Sequence, residues 1–159
     1  MNKLVCGLAL AFLAVLGVAA TAYATASSGF STEQLSLGRF GEMKINTGDV
    51  KLKTKGDSDV YVVRNTVVPG GQSGWHYHPG PSLITVVQGT ATFYDGDDPT
   101  CTPRVFPAGS GIIDDSVDAS HVHLLRNEGT TNLITVTMQI VPAGAPRRVD
   151  APAPGNCPF

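Results

Sequence analysis

Between Asn132 and Val141 the chain alternates without a break: Ile134, Val136, Met138 and Ile140 fall on one parity, Thr135, Thr137 and Gln139 on the other. A period of two is that of a β-strand, whose successive side chains leave opposite faces. The same period recurs upstream in short runs closed by turn residues. Val50, Leu52 and Thr54 alternate with Lys51, Lys53 and Lys55, a strand with one wet face and lysines guarding an edge. Asp59 to Val68 is rich in β-branched residues and stops at Pro69-Gly70-Gly71. Ser82–Gln88 and Thr90–Tyr94 meet at Gly89, with Asp95-Gly96 as the next turn. Arg104–Phe106 ends at Pro107, and His121–Arg126 ends at Asn127-Glu128-Gly129. The one helical turn expected begins at Ser31, which would cap it, with Gln34 three residues on. About seven or eight short strands separated by turn signals predict an all-β sandwich or small barrel.

Composition narrows this further. The 159 residues are 42% hydrophobic and 15% charged, with a formal net charge of −2. So little charge, spread along the chain, excludes an electrostatic nucleic-acid binder, and so much apolar content excludes a disordered chain. The 18 glycines and 11 prolines act as punctuation and form no repeat. The length allows one domain with a real core.

The N-terminus reads as a targeting segment. Lys3 precedes an uncharged run from Leu4 to Ala20, and small residues follow as Ala22-Tyr23-Ala24 and Ala24-Thr25-Ala26. A basic start, an apolar middle and A-x-A sites make a secretory signal peptide over residues 1–26, the alternative being an uncleaved membrane anchor. Cys6 lies inside the apolar run, too early for lipidation at a cleavage point. The expected organisation is then an N-terminal extension over 27–45, a barrel over 46–141, and a Pro-rich extended tail over 142–159 that wraps the surface. An exported chain keeps two cysteines, Cys101 and Cys157. Such a pair is most simply one disulfide, with a reactive thiol or a metal thiolate as the alternative.

All four histidines fall in two H-x-H pairs, His76-Tyr77-His78 and His121-Val122-His123. On a strand each pair aims two imidazoles at one face, and imidazole suits divalent Fe, Ni, Cu, Mn or Zn. No phosphate loop, nucleophile elbow or C-x-x-C spacing competes with this signal.

With these residues in place, the chain resembles the cupins over about residues 40 to 142. Gly70, His76-Tyr77-His78 and Gly89 match the spacing of the first cupin motif, and Pro107-Ala108-Gly109, His123 and Asn127 match parts of the second. Val122-His123-Leu124-Leu125-Arg126-Asn127-Glu128-Gly129 and the tail Ala151-Pro152-Ala153-Pro154-Gly155-Asn156-Cys157 are similar to segments of small exported single-domain cupins. The resemblance implies a single jelly-roll barrel of double-stranded β-helix type, with His76, His78 and His123 as metal ligands. There are two departures. The motif's glutamate position is Ser82, which would hold a water or a substrate oxygen instead. Thirteen residues separate Gly109 from His123, and Asp114, Asp115 and Asp118 within them suggest an exposed lid. His121 is either a fourth ligand, a neighbouring proton carrier or a histidine at the barrel mouth. Trp75 and Tyr77, of opposite parity to the ligands, are expected in sheet packing, as are Phe93 and Tyr94; Arg126 is expected to pair with Glu128 or the acidic loop.

A neutral three-histidine set resembles the centres of thiol dioxygenases and some diketone-cleaving dioxygenases. The function implied is an exported metal-dependent oxygenase acting on a small chelating substrate. The alternatives are a non-catalytic module for a sugar or organic acid, and a structural barrel. The partners expected are a small molecule and no nucleic acid, with no membrane contact after signal cleavage. A homodimer would pair through the face carrying Thr135, Thr137 and Gln139.

Overall fold

The structure, a computed structural model, describes residues 23–115 and 117–159, so most of the signal segment expected over 1–26 lies outside the described residues. Those residues form twelve strands: β1 (Ser28–Phe40), β2 (Lys44–Thr47), β3 (Val50–Lys53), β4 (Ser58–Gln72), β5 (His76–Tyr77), β6 (Ser82–Gln88), β7 (Thr90–Asp95), β8 (Arg104–Pro107), β9 (Gly111–Asp114), β10 (His123–Arg126), β11 (Leu133–Pro142) and β12 (Val149–Asp150). The all-β expectation holds. Every pairing is antiparallel. One layer runs β1-β4-β11-β6-β9 and the other β12-β5-β10-β7-β8, while β2 and β3 make a separate hairpin. The layers join where Gln72, at the end of β4, pairs with Arg126.

Strand β4 continues through Pro69-Gly70-Gly71, where the sequence pattern predicts a stop. Gly70 takes φ +76°, a conformation open to glycine, so the chain bends from one layer into the other without ending the strand. The helical turn expected at Ser31–Gln34 is also strand. Ser31 faces Thr66 and Gln34 faces Val63 along β1, and Thr32 Oγ1 donates to Asn65 Oδ1 at 2.8 Å. A ladder along β4 satisfies more backbone groups than one capped turn can, so the local capping signal loses.

Two cores result from the alternation. Inside the barrel pack Val67, Ile84, Val86, Ala91, Phe93, Ile112, Leu125 and Leu133. On the outer face of β5 and β10 a second cluster forms from Trp75, Tyr94, Val122, Leu124 and Ala151, with Tyr77, Cys101 and Cys157 against it. Leu124 and Leu125 are neighbours in sequence yet serve different cores, as a pleated strand requires. The tail covers the second cluster. It is held by β12 pairing with β5, by the Ala24–Pro152 bridge, and by the Cys101–Cys157 disulfide with Cα atoms 5.2 Å apart. Asp98 accepts from Thr100 N and Thr102 N, fixing the loop in which Cys101 sits at φ +51°.

The face expected to pair two copies is turned inward. Thr135, Thr137 and Gln139 are buried inside the barrel, while Ile134, Val136, Met138 and Ile140 face outward. The apolar parity is not the core parity here, because the barrel encloses a polar cavity.

At the edge of the first layer, Asp59 accepts from Arg39 Nε at 2.7 Å, Arg39 Nη2 at 2.8 Å and Gly144 N at 2.8 Å, tying β1 and the turn after β11 to β4. The Arg39 hydrogen bonds, then that of Gly144, hold the Asp59 carboxyl down at about 2. An unfolded aspartate titrates near ~3.9, so the clasp stabilises fully above that pH and its contribution disappears as pH falls through about 2. Asp59→Asn should therefore lower the denaturant midpoint at pH 7 and lose that difference from wild type by about pH 2. Equal midpoints at pH 7 would remove the clasp from the account.

Candidate metal centre

β5 and β10 lie side by side with His76 opposite His123, and His78 follows β5 on the same parity as His76. Ring centroids stand 4.1 Å apart for His76–His123, 4.9 Å for His76–His78 and 5.3 Å for His78–His123. Nitrogens of the three rings all lie within 4.8 Å of one another, and all three residues are buried. Phe93 stacks on His123 with centroids 4.8 Å apart and planes 13° apart.

Two ring orientations are set by main-chain carbonyls. His76 Nδ1 lies 2.8 Å from Gly74 O, and His78 Nδ1 lies 2.8 Å from Arg147 O. A carbonyl can only accept, so His76 Nδ1 carries the hydrogen and its Nε2 presents a lone pair, whereas His78 Nδ1 also lies 3.0 Å from Gln139 Nε2, an amide N–H that can only donate. Burial, reinforced by His123 and Arg148, pushes His76 well below the usual imidazole range. Burial, with His78 and Arg148 adding to it, does the same to His123. Burial also brings His78 down to about 4. The rings are neutral near pH 7, the state in which imidazole binds a metal.

Ser82 stands where the motif glutamate is missing. It is fully buried, and its Oγ accepts from Gln139 Nε2 at 3.1 Å. Across the β6–β9 ladder its partner is Asp114. This corrects the reading of the 110–122 segment as a lid from its start, because its first part is strand β9. Ile112 and Asp114 point inward and Ile113 outward, and Asp114 is 3% exposed. Asp114 Oδ2 lies 3.4 Å from His78 Nε2, and Oδ1 lies 3.4 Å from His123 Nδ1. The shared parity of Ile112 and Asp114 was the available signal, masked by the turn-like Asp114-Asp115 pair.

The histidines open on a cavity of about 220 Å³. Its walls include Phe30 and Thr32 from β1, Thr135, Thr137 and Gln139 from β11, and Arg147 and Arg148 from the tail. Arg147 Nη1 donates to Gln139 Oε1 at 2.9 Å, and burial lowers its pKa, with Arg148 adding to the effect. Arg148 pairs with Asp150 at 2.6 Å, whereas no carboxylate lies within ion-pair distance of Arg147 among the described residues. The sequence reading missed these tail arginines. Their only signal was a basic pair, with Asp150 close behind, in a stretch rich in proline and alanine.

His121 is not brought into the cluster. It is about half exposed, with Nδ1 3.2 Å from Asp97 Oδ2. Trp75 and Tyr77 pack on the second core as their parity predicts. Arg126 Nε lies 3.6 Å from Glu128, and its guanidinium covers the Phe159 ring.

The donor set fits a divalent metal ion on this structure's own terms. Nitrogens of three buried rings converge, and His123 Nδ1, also buried, makes no hydrogen bond among the described residues. Such groups are costly without a cation or proton among them.

The molecule is thus a jelly-roll barrel built around a buried histidine cluster of metal-site spacing. Residues 63–139 match the family model described as Cupin domain, and the chain is a small single-domain cupin. It is similar to an uncharacterized conserved protein with a double-stranded beta-helix domain from Klebsiella pneumoniae subsp. pneumoniae. That likeness has 26% identity and a TM-score of 0.47, and covers 58% of this chain and 74% of that one. It is also similar to the polyketide cyclase RemF from Streptomyces resistomycificus, at 15% identity and a TM-score of 0.52 over 77% of this chain and 72% of that one, a likeness of fold alone. No curated protein matches the sequence.

Elemental analysis of the purified protein should find close to one divalent ion per chain, and none in a His76→Ala/His123→Ala variant that keeps its far-UV circular dichroism. Equal metal content in the two would place the ion elsewhere.

Proposed function

We propose that the protein is an exported, metal-dependent cupin oxygenase whose substrate is a small chelating organic acid. The observation that carries the reading is the three-imidazole cluster opening on a cavity whose wall holds Arg147, a guanidinium without a carboxylate partner among the described residues. Iron, nickel, manganese, copper and zinc all suit such a donor set. When bound, a redox-active ion supplies Lewis acidity and access to dioxygen chemistry. A dioxygenase places both atoms of dioxygen in its product, so the reaction needs no external reductant.

The chain's own residues supply binding and orientation. The Arg147 guanidinium is a charge-assisted donor for a substrate carboxylate. Thr137 Oγ1 is buried, lines the cavity and has no hydrogen-bond partner among the described residues, so a polar ligand atom there would satisfy it. Phe30, Ile84 and Leu125 give the cavity apolar walls that limit water. The Arg147 carbonyl and Gln139 Nε2 both meet His78 Nδ1, at 2.8 Å and 3.0 Å, and hold its ring in place.

Oxygen uptake by the iron-loaded mature protein across a panel of small mono- and dicarboxylic acids tests this. We expect one acid to drive uptake, with Arg147→Gln raising its KM about tenfold or more and changing kcat less. Tight retention of an acid without uptake would assign a non-catalytic binding module instead.

Export is part of the proposal, with hydrolysis of the Ala24–Thr25 peptide bond favoured over the later A-x-A site. Thr25 Oγ1 accepts from Trp75 N at 2.7 Å and donates to Ala151 O at 3.2 Å, and Thr25 N donates to the same carbonyl. Cleavage after Ala26 would remove this bridge between barrel and tail. Intact mass of protein recovered from an exporting host should correspond to a chain beginning at Thr25; a chain beginning at Ser27 or retaining Met1 would refute that assignment.

A further inference from the structure

The glutamate position of the first cupin motif is serine, yet the imidazoles are not without a carboxylate. Asp114 reaches them from β9, directly across the ladder from Ser82. Its two oxygens each stand 3.4 Å from a ring nitrogen, one on His78 and one on His123. These contacts are long for N–H···O hydrogen bonds, which cluster at about 2.7–3.2 Å. They are the right length for donors sharing an ion, since ligand atoms about 2.1 Å from a tetrahedral metal stand about 3.4 Å apart. The ring's other contacts agree, because His78 Nδ1 is already engaged by Arg147 O at 2.8 Å and Gln139 Nε2 at 3.0 Å, so Nε2 is the nitrogen turned to the carboxylate.

We propose that Asp114 is the fourth protein donor of the metal centre, so that the carboxylate lost at Ser82 is supplied by its cross-strand neighbour. This rests on reading the cluster as a metal centre. The protein donor set then carries one negative charge where three histidines alone carry none. A mixed nitrogen and oxygen set of that kind suits a divalent ion such as Fe, Mn, Co, Ni or Zn. The small side chain of Ser82 leaves room for Asp114 to approach, and the Gln139 amide holds the serine hydroxyl aside.

Cobalt(II) titration of the mature wild type and of Asp114→Asn tests the assignment, with the visible ligand-field spectrum as the readout. The asparagine oxygen can still accept from an imidazole N–H, so a role limited to orienting rings survives the change and direct ligation does not. We expect one cobalt ion per wild-type chain. In the variant we expect affinity lower by more than about 100-fold, beyond the 10–100-fold that loss of an orienting partner costs, and an altered spectrum. A wild-type spectrum in the variant would overturn the proposal while leaving the metal centre standing. No cobalt binding by the wild type would overturn the metal centre, and this assignment with it. Where the variant fails to fold, the crystal structure of the cobalt-loaded wild type decides. An Asp114 oxygen about 2.0–2.2 Å from the ion supports ligation, and one beyond about 3 Å refutes it.

Discussion

The cost of burying three imidazoles and a carboxylate inside a β-barrel organises most of this molecule. Polar groups taken from water lose several kcal/mol unless they are paired, and charged ones lose more. The chain meets that cost with fixed carbonyls at Gly74 and Arg147, with the Gln139 amide on Ser82, and with the stacked face of Phe93. Burial keeps the rings neutral, and the contacts to Gly74 O and Arg147 O occupy Nδ1 of His76 and His78, leaving Nε2 of each for the shared centre.

One of those carbonyls comes from far along the chain, which explains the tail. Residue 147 can reach His78 only if everything after β11 turns back across the barrel. β12 pairing with β5, the disulfide, and the second core beneath Trp75 and Tyr94 hold it there. A segment without regular periodicity is thereby as much a part of the site as the strands. The N-terminal strand is similarly committed, since β1 contributes Phe30 and Thr32 to the cavity.

The barrel and the histidine cluster could be read from sequence because both follow from parity. Strand alternation is local, and H-x-H on a strand puts two rings on one face whatever surrounds it. The remaining features depend on partners distant in the chain. Ser31–Gln34 carries a helix-capping pattern, but the β4 edge offers a longer ladder. Asp114 resembles a turn residue until β6 is placed beside it. On β11 the alternation is plain, but which parity faces inward depends on whether the barrel interior is apolar or a polar cavity. Here it is a cavity, and Asn65 Nδ2 donating to Thr135 Oγ1 at 3.2 Å helps to satisfy the inward hydroxyls. Arg147 and Arg148 were announced only by being a basic pair in a tail without periodicity.

Arg147 joins the two halves of the site, and it does so with separable parts. Its carbonyl meets His78 Nδ1, while its guanidinium reaches Gln139, whose amide in turn meets that same Nδ1 and holds Ser82 opposite Asp114. A ligand that draws the guanidinium into the cavity therefore competes with Gln139 for it and loosens the serine's partner. The His78 carbonyl contact, being main chain, is held by β12 and the tail and does not depend on the side chain. Substrate capture and metal geometry are thus linked through Gln139, whose Nε2 touches both Ser82 and His78. In such an arrangement, side-chain changes at position 147 act on ligand binding directly and reach the His78 imidazole through Gln139.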